Sequence, residues 1–136
     1  MRGRMPSIRS KWHLPKKCYR LAVEYAANYE QWKAEIRSLR DQSTAIRYDK
    51  DKVQGNSQYN PTEAAGIRSA ELQAKVDKID DTIKVVSEGL DEYIRLHVCY
   101  DYSYYQLTHG SYHMPLNKND FGEIRQRFYY ELYQVI

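Results

Sequence analysis

The sequence predicts an all-α protein, in which a long, coiled-coil-like antiparallel helical hairpin precedes a small C-terminal helix-turn-helix-like unit. Two stretches with apolar residues at every third or fourth position, joined by a polar segment, predict the hairpin. Short helical segments rich in tyrosine, which follow Gly89, predict the C-terminal unit. We expect a flexible basic arm over residues 1–14, the hairpin over 15–92 with a polar loop near 41–59, and the C-terminal unit over 93–136.

The first helix is predicted to run from Pro15 to about Arg40. Proline suits a first helical turn, where its missing amide hydrogen would have no partner, and no glycine or proline follows within the helix. Its apolar seam consists of Cys18, Ala22, Tyr25, Tyr29, Trp32, Ile36 and Leu39. Residues 41–58 are polar and follow neither period, so they predict a mobile connection.

The second helix has a strong start signal in Asn60-Pro61-Thr62-Glu63, which offers a capping side chain, a proline at the first position and a carboxylate three residues after the cap. Its seam consists of Ala65, Leu72, Val76, Ile79, Ile83, Val86, Leu90 and Tyr93. Gly89 predicts a bend or a break. The two helices can pair within one chain or between two copies, so a homodimer is an alternative.

Beyond Gly89 we predict one helix that ends near Cys99, a second from Ser103 to Thr108 and a third from about Lys118 to Val135. A short helix, a turn and a longer helix form the outline of a helix-turn-helix. The buried face of the third helix is predicted to hold Phe121, Ile124, Phe128, Leu132 and Val135. The opposite side is predicted to hold Lys118, Asn119, Gln126, Tyr129, Tyr130 and Tyr133, with Arg125 and Arg127 at its boundaries.

Basic residues are concentrated at the start of the chain. The first twenty residues carry seven basic side chains and no acid, so a net charge of +3 for the chain leaves −4 for the rest. Such an arm is typical of nucleic-acid binding, and equally of a solubilising disordered terminus. For double-stranded DNA the predicted contact residues are Arg2, Arg4, Arg9, Lys11, Lys16, Lys17, Lys118, Asn119, Arg125, Gln126 and Arg127. The third helix is electrically neutral, so the arm has to supply most of the phosphate attraction.

The order of these features, with the segments YIRLHVCYDYSYYQL and MPLNKNDFGEIRQRFYYEL, resembles the small RinA/ArpU-type transcriptional regulators of phages and prophages of Gram-positive bacteria. The resemblance implies a C-terminal helix-turn-helix similar to the promoter-reading region of sigma factors, with the helix that starts at Asn117 as its recognition helix. It also implies that the N-terminal helical part contacts a partner, such as RNA polymerase.

An alternative function is protein binding. Residues 93–133 hold nine of the fourteen tyrosines, and tyrosine is favoured at interfaces. A small phage protein of this kind could inhibit a host or defence enzyme, for example a CRISPR nuclease. Its contact residues would be Tyr100, Tyr102, Tyr104, Tyr105 and Tyr112, with Asp77, Asp80, Asp81, Asp91 and Glu92 in place of phosphates.

The sequence gives no sign of an enzyme. No phosphate-binding glycine loop, catalytic triad or paired-carboxylate site is recognisable, and no cofactor is expected. His109 and His113 are four residues apart, but Gly110 and Pro115 predict a loop there, so no metal site is predicted for them or for His97. Cys18 and Cys99 are expected to be buried, reduced thiols. Without an apolar run of membrane-spanning length or a recognisable secretory signal, we expect a cytoplasmic protein without membrane contact.

Overall fold

The computed structural model describes residues 11–49 and 61–136, except for the side chains of residues 42–49, 61 and 62. The described part contains helices and no strand, which confirms the all-α class. Its helices are α1 (Lys16–Ala27), α2 (Tyr29–Asp49), α3 (Pro61–Ser87), α4 (Asp91–Tyr100), α5 (Tyr104–Thr108) and α6 (Lys118–Val135). Among the described residues, no helix combines the length and apolarity needed to cross a membrane.

The chain divides into two compact units, and the division differs from the predicted boundary between residues 92 and 93. The larger unit comprises Met1–Tyr29 and Lys78–Ile136, and the smaller unit comprises Glu30–Asp77. The reason for the difference is that α1 packs against both α6 and α4. The first helical segment therefore belongs with the C-terminal helices rather than with a separate hairpin.

The core of the larger unit is formed where α1, the end of α3, α4 and α6 bury their apolar stripes. Its fully buried large side chains are Tyr19, Ile79, Ile83, Val86, Ile94, Val98, Leu107, Phe128, Tyr129 and Leu132. Burying each large aliphatic side chain is worth about 1.5–3 kcal/mol, so this core supplies most of the stabilisation of the unit.

The segment before α1 is packed, in contrast to the flexible arm predicted for residues 1–14. Leu14 is only 4% exposed, and Trp12 contacts the ring of Tyr130 edge-on with 5.5 Å between the ring centroids. Residues 11–14 therefore differ from the predicted flexible arm, because Trp12 packs on α6 and Leu14 is buried. Residues 1–10 lie outside the described residues.

The first predicted helix is interrupted at Asn28 and is longer than expected. The Asn28 side-chain amide donates to the carbonyl oxygen of Glu24 at 2.9 Å, and its backbone N–H donates to Tyr25, three residues back. Asparagine side chains compete in this way with the regular helical ladder. After the interruption α2 continues to Asp49, so the predicted polar loop near 41–59 is helical in its first part, while residues 50–60 lie outside the description.

In the smaller unit, α2 and α3 contact each other in antiparallel order. The ammonium of Lys75 lies over the ring of Trp32, 5.3 Å from its centroid, and Arg68 pairs with Glu35 at 3.4 Å. Earlier residues of α2 thus meet later residues of α3. Ile36, Ala65, Leu72 and Val76 from the two predicted seams are buried in this unit.

A sharp turn separates α3 from α4, as Gly89 predicted. Glu88 and Gly89 both have positive φ, 51° and 93°, and the glycine adopts this conformation without the strain of a side chain. The Ser87 hydroxyl donates to the Asp91 carboxylate across the turn. A tight reversal at this point lets α4 pack back on the unit that holds the end of α3.

The helix ends after α4 follow the predicted local signals. Ser103 and Gln106 form a reciprocal capping box at the start of α5. The Asn117 side chain accepts the backbone N–H of Asp120 at 2.8 Å, so it caps α6. The α5–α6 connection, from His109 to Asn117, is longer than the usual three or four residues of a helix-turn-helix. It is held by a backbone hydrogen bond from Met114 to Leu107 and by the Tyr104 hydroxyl, which donates to the carbonyl of Leu116 at 2.6 Å.

A polar cluster of Tyr29, Asp80 and Arg95 joins the start of α2 to α3 and α4. The Tyr29 hydroxyl and the Arg95 guanidinium both donate to Asp80 Oδ1, each at 3.0 Å. Burial, and then the negative charge of Asp80, raises the pKa of Tyr29 to about 12. Tyr29 is therefore a neutral hydrogen-bond donor at physiological pH.

The packing of residues 11–14 can be tested with a matched pair of leucine substitutions. Leu14→Ala is expected to lower the free energy of unfolding by about 2–5 kcal/mol, because it leaves a cavity. Leu21→Ala makes the same chemical change at a side chain that is 48% exposed, and we expect it to cost less than about 1 kcal/mol. Urea unfolding followed by circular dichroism measures both. Equal effects would contradict the packing of Leu14.

The raised pKa of Tyr29 predicts a loss of stability at alkaline pH. The folded protein keeps the phenol proton up to about pH 12, whereas the unfolded chain releases it near 10.0. The stabilisation by this proton is thus complete below about pH 10 and is lost as the pH rises to about 12, by about 2 kcal/mol. Urea unfolding at about pH 8 and 12 should show the stability difference between wild type and Tyr29→Phe shrinking, whereas Tyr105→Phe, at an exposed position, should show no such change.

Candidate nucleic-acid interface

Among the described residues, a group of exposed basic side chains lies at the start of α1. Lys16, Lys17 and Arg20 are exposed, whereas Tyr19 and Ala22 are buried on the opposite side of the helix. With Leu21 and Glu24, the three basic residues line a shallow depression on this surface. Lys11, just before the helix, is exposed as well. We call Lys11, Lys16, Lys17 and Arg20 the α1 basic cluster.

Arg20 was counted with the basic arm but was not among the predicted contact residues. It is three or four positions after Lys17 and Lys16, which is the spacing of neighbours on one helical face. That signal was present in the sequence. The structure adds that Tyr19 and Ala22 are buried on the other side of α1, so Lys16, Lys17 and Arg20 face solvent together.

The start of α1 has a positive potential from two sources. The first turn holds two lysines and no acid, and Pro15 at the N-cap makes no side-chain cap hydrogen bond. The N-terminus of a helix carries about half a positive charge from its aligned peptide dipoles. Lysines at this end are unfavourable for the isolated helix, and together with the dipole they attract anions.

The start of α6 carries the second exposed set of predicted contact residues, Lys118 and Asn119. Asn117 fixes this first turn, since its amide also donates to the Asp120 carboxylate at 3.0 Å. An exposed asparagine and lysine can contact base edges or phosphates. Of the predicted DNA contacts on α6, these two are the ones that the structure leaves exposed.

Arg125 does not face solvent, which corrects its prediction as a DNA contact. The side chain is 6% exposed, and its Nη1 donates to the hydroxyl of Tyr19 at 2.8 Å. Tyr129, predicted on the same outer side, is fully buried, with its ring edge-on to Tyr19 at 5.3 Å. Arg125 and Tyr129 therefore belong to the α1–α6 interface. Val135, predicted as buried, is exposed instead.

Arg127 and Gln126 are half-buried on α6. The Arg127 guanidinium lies over the ring of Trp12, 5.5 Å from its centroid, and pairs with Glu131 at 3.8 Å. Its charge is partly balanced within the protein, so it is a weaker phosphate ligand than an exposed lysine. The central part of α6 thus presents fewer basic groups to a ligand than the sequence suggested.

The α1 basic cluster and Lys118 form two groups of exposed basic residues, one beside the later part of α6 and one at its start. The α1 basic cluster adjoins the later part of α6, where Cys18 interacts with Tyr133 and Trp12 with Arg127. Lys118 lies nine residues before Arg127, or about 14 Å along the helix axis. Arg2, Arg4 and Arg9, the other predicted contacts, lie outside the described residues.

The tyrosines predicted to bind a partner are mostly engaged in contacts within the protein. Tyr104 is half-buried against Phe121, and Tyr102 packs edge-on against Tyr112 at 5.6 Å. Tyr100 is just exposed and contacts Tyr29. Tyr105 is the most exposed, at 67%, and its ring stacks on His109. Of the predicted phosphate mimics, Asp80 is bound by Tyr29 and Arg95, so it cannot serve that role.

Titratable side chains do not gather into an evident metal site. Across residues 11–49 and 61–136, no group of three or more His, Cys, Asp or Glu side chains could hold an ion. His97, the buried histidine of α4, places Nδ1 at 2.6 Å from the Tyr102 carbonyl oxygen. Cys99 is buried as expected, whereas Cys18 is half-buried against Tyr133, and the two form no disulfide.

The role of Arg125 as an interface residue predicts a stability effect. Arg125→Ala should lower the free energy of unfolding by about 2–4 kcal/mol, since it leaves the Tyr19 hydroxyl without this partner and removes a buried side chain. Gln126→Ala, on the next residue, should change it by less than about 1 kcal/mol. Urea unfolding measures both variants, and a negligible effect of Arg125→Ala would restore it as a candidate DNA contact.

Comparison of the chain with protein-family models, curated proteins and solved structures finds no match. The resemblance to RinA/ArpU-type regulators therefore stays a prediction. A functional assignment has to rest on the surfaces described above, above all on the α1 basic cluster.

Proposed function

We propose that the protein is a DNA-binding transcriptional regulator of phage type that binds duplex DNA through the α1 basic cluster and the first residues of α6. The observation that carries this proposal is the grouping of Lys11, Lys16, Lys17 and Arg20, all exposed, at the positive end of α1. Four basic side chains against a single carboxylate, Glu24, on the same surface favour a polyanion over a single small anion.

The α1 basic cluster is suited to phosphate contacts rather than to base recognition. Lysine ammonium groups on long side chains bind phosphates as point charges, whereas Arg20 can make paired hydrogen bonds. Each phosphate neutralised releases condensed counterions, which gives affinity independent of DNA sequence. In the proposed mode α1 therefore holds the DNA backbone.

Sequence preference would come from the start of α6. Asn119 can pair with the edge of adenine and Lys118 with guanine or phosphate. The distance of about 14 Å between Lys118 and Arg127 along α6 is comparable to the width of the major groove, about 12 Å. Lys118 at the start of α6 and Arg127 in its middle could thus approach the two strands that border one groove.

The helix-turn-helix interpretation assigns α5 to the first helix and α6 to the recognition helix. It is supported by the caps at Ser103 and Asn117 and by the hydrogen bonds that fix the connection between the helices. The long connection and the buried Arg125 depart from a strongly basic recognition helix. The proposal therefore gives α6 the smaller share of the binding free energy.

Inhibition of a host or defence enzyme remains a second candidate function. Tyr105, 67% exposed and stacked on His109, is the observation that favours it, because an exposed aromatic pair is typical of a protein interface. Recovery of a stoichiometric host enzyme in a pull-down that Tyr105→Ala abolishes would support this function over DNA binding.

The DNA proposal predicts a salt dependence assigned to particular residues. In fluorescence anisotropy with a duplex of about 20 base pairs, Lys16→Ala/Lys17→Ala should make the slope of log K against log salt shallower by about 1.8, which is two phosphate contacts. Lys118→Ala should make it shallower by about 0.9, and it should also weaken any sequence preference.

The matched control is Lys78→Ala/Lys84→Ala, which removes two exposed lysines of α3. Its net charge equals that of the α1 double variant, and its slope should stay that of the wild type. Equal slope changes in the two double variants would show that overall charge, and not the α1 basic cluster, causes the effect. Absence of binding at about 50 mM salt, where phosphate attraction is strong, would overturn the proposal.

A further inference from the structure

The surface of α4 and α5 has the opposite charge to the start of α1. Between residues 85 and 117 the chain carries four carboxylates, Glu88, Asp91, Glu92 and Asp101, and a single arginine or lysine, Arg95. Arg95 is already paired with Asp80 at 3.0 Å. This surface therefore repels nucleic acid and attracts cations.

Three tyrosines on this surface form a connected cluster. Tyr102 and Tyr112 pack edge-on, with ring centroids 5.6 Å apart. Tyr93 fixes the second of these residues by donating its hydroxyl to the Tyr112 carbonyl at 2.9 Å. Tyr102 and Tyr112 are half-buried, so each is anchored and still reachable from solvent.

Two carboxylates border the tyrosine cluster. Glu92 is exposed and directly precedes Tyr93 on α4, the residue whose hydroxyl binds the Tyr112 carbonyl. Asp101 is exposed and directly precedes Tyr102 at the end of α4, in the left-handed conformation with φ 65°. We call Glu92, Tyr93, Asp101, Tyr102 and Tyr112 the tyrosine-carboxylate face.

We propose that the tyrosine-carboxylate face binds an arginine- or lysine-bearing peptide segment of a protein partner. Aromatic rings attract cationic groups over their faces, and a carboxylate beside the ring adds a charge-assisted hydrogen bond. Arginine fits this combination best, because its planar guanidinium stacks on a ring and pairs with a carboxylate at once. The rings are held by contacts within the protein, so little side-chain entropy is lost on binding.

This partner chemistry follows from charge complementarity and is independent of DNA binding. A nucleic acid would place phosphates against Glu92 and Asp101, which is unfavourable. An acidic protein would meet the same repulsion. A cationic segment is the class of ligand that the carboxylates and the rings attract together. The face shares no residue with the α1 basic cluster, so the two ligands do not compete for the same side chains.

The test uses the full chain and a defined probe, a fluorescein-labelled peptide of five Gly-Arg repeats, in fluorescence anisotropy at low salt. We expect Glu92→Gln/Asp101→Asn to weaken binding of the peptide by about 5–20-fold, as two exposed charge-assisted contacts are lost. Asparagine tolerates the left-handed conformation at position 101, so the fold should persist. Circular dichroism confirms the helical content.

The matched control is Asp77→Asn/Asp81→Asn, which removes two exposed carboxylates of α3. It should weaken binding less than about twofold, in line with a small and screened long-range effect. A peptide with citrulline in place of arginine keeps the shape without the charge, and it should not bind. Equal losses in the two double variants, or equal binding of the citrulline peptide, would overturn the proposal.

A second variant tests the rings apart from the carboxylates. Tyr112→Leu keeps an apolar side chain but removes the aromatic face, and it should weaken binding of the arginine peptide by about 3–10-fold. Tyr105→Leu, outside the face, is its control and should leave the affinity unchanged. Wild-type affinity in Tyr112→Leu would exclude a role for the rings and overturn this part of the proposal.

Discussion

The burial of Arg125 between α1 and α6 is the constraint on which the presentation of the functional surfaces depends. A guanidinium removed from water must be hydrogen-bonded, and it donates to the hydroxyl of fully buried Tyr19. This contact fixes the rotation of α1 about its axis. Once Tyr19 faces α6, Lys16, Lys17 and Arg20 face solvent. Arg125, which the sequence pattern predicted as a DNA contact, thus orients the exposed basic residues of α1 instead.

Helix ends were predictable because their signals are local. The cap of Ser103, the cap of Asn117 and the left-handed turn at Gly89 each act within a few residues, so the sequence alone indicates them. The interruption at Asn28 also has a local cause, the side-chain bond to Glu24. It was missed because asparagine within a helix often faces solvent without interrupting the ladder.

The packed faces were predictable only where they are apolar. Phe121, Phe128 and Leu132 are buried as their period indicated, but the stripe on α6 also includes Arg125 and Tyr129. A helical wheel sorts residues by polarity, and it cannot identify a polar residue whose partner comes from another helix. Leu14 was missed because it precedes the first helix, where no period marks a buried face. The contact of its neighbour Trp12 is with Tyr130, more than a hundred residues later in the sequence.

Counting charges along the sequence is sufficient to predict one of the two proposed binding surfaces and fails to predict the other. An acid-free stretch at the start of the chain pointed to a polyanion before any fold was known, because a run of one sign attracts the other sign in any conformation. The tyrosine-carboxylate face needed the fold, since Tyr93 and Tyr112 are nineteen residues apart and their hydrogen bond forms only in the folded chain. Residues of both surfaces lie in the larger unit. Both surfaces attract their ligands through exposed charges, so salt weakens both attractions.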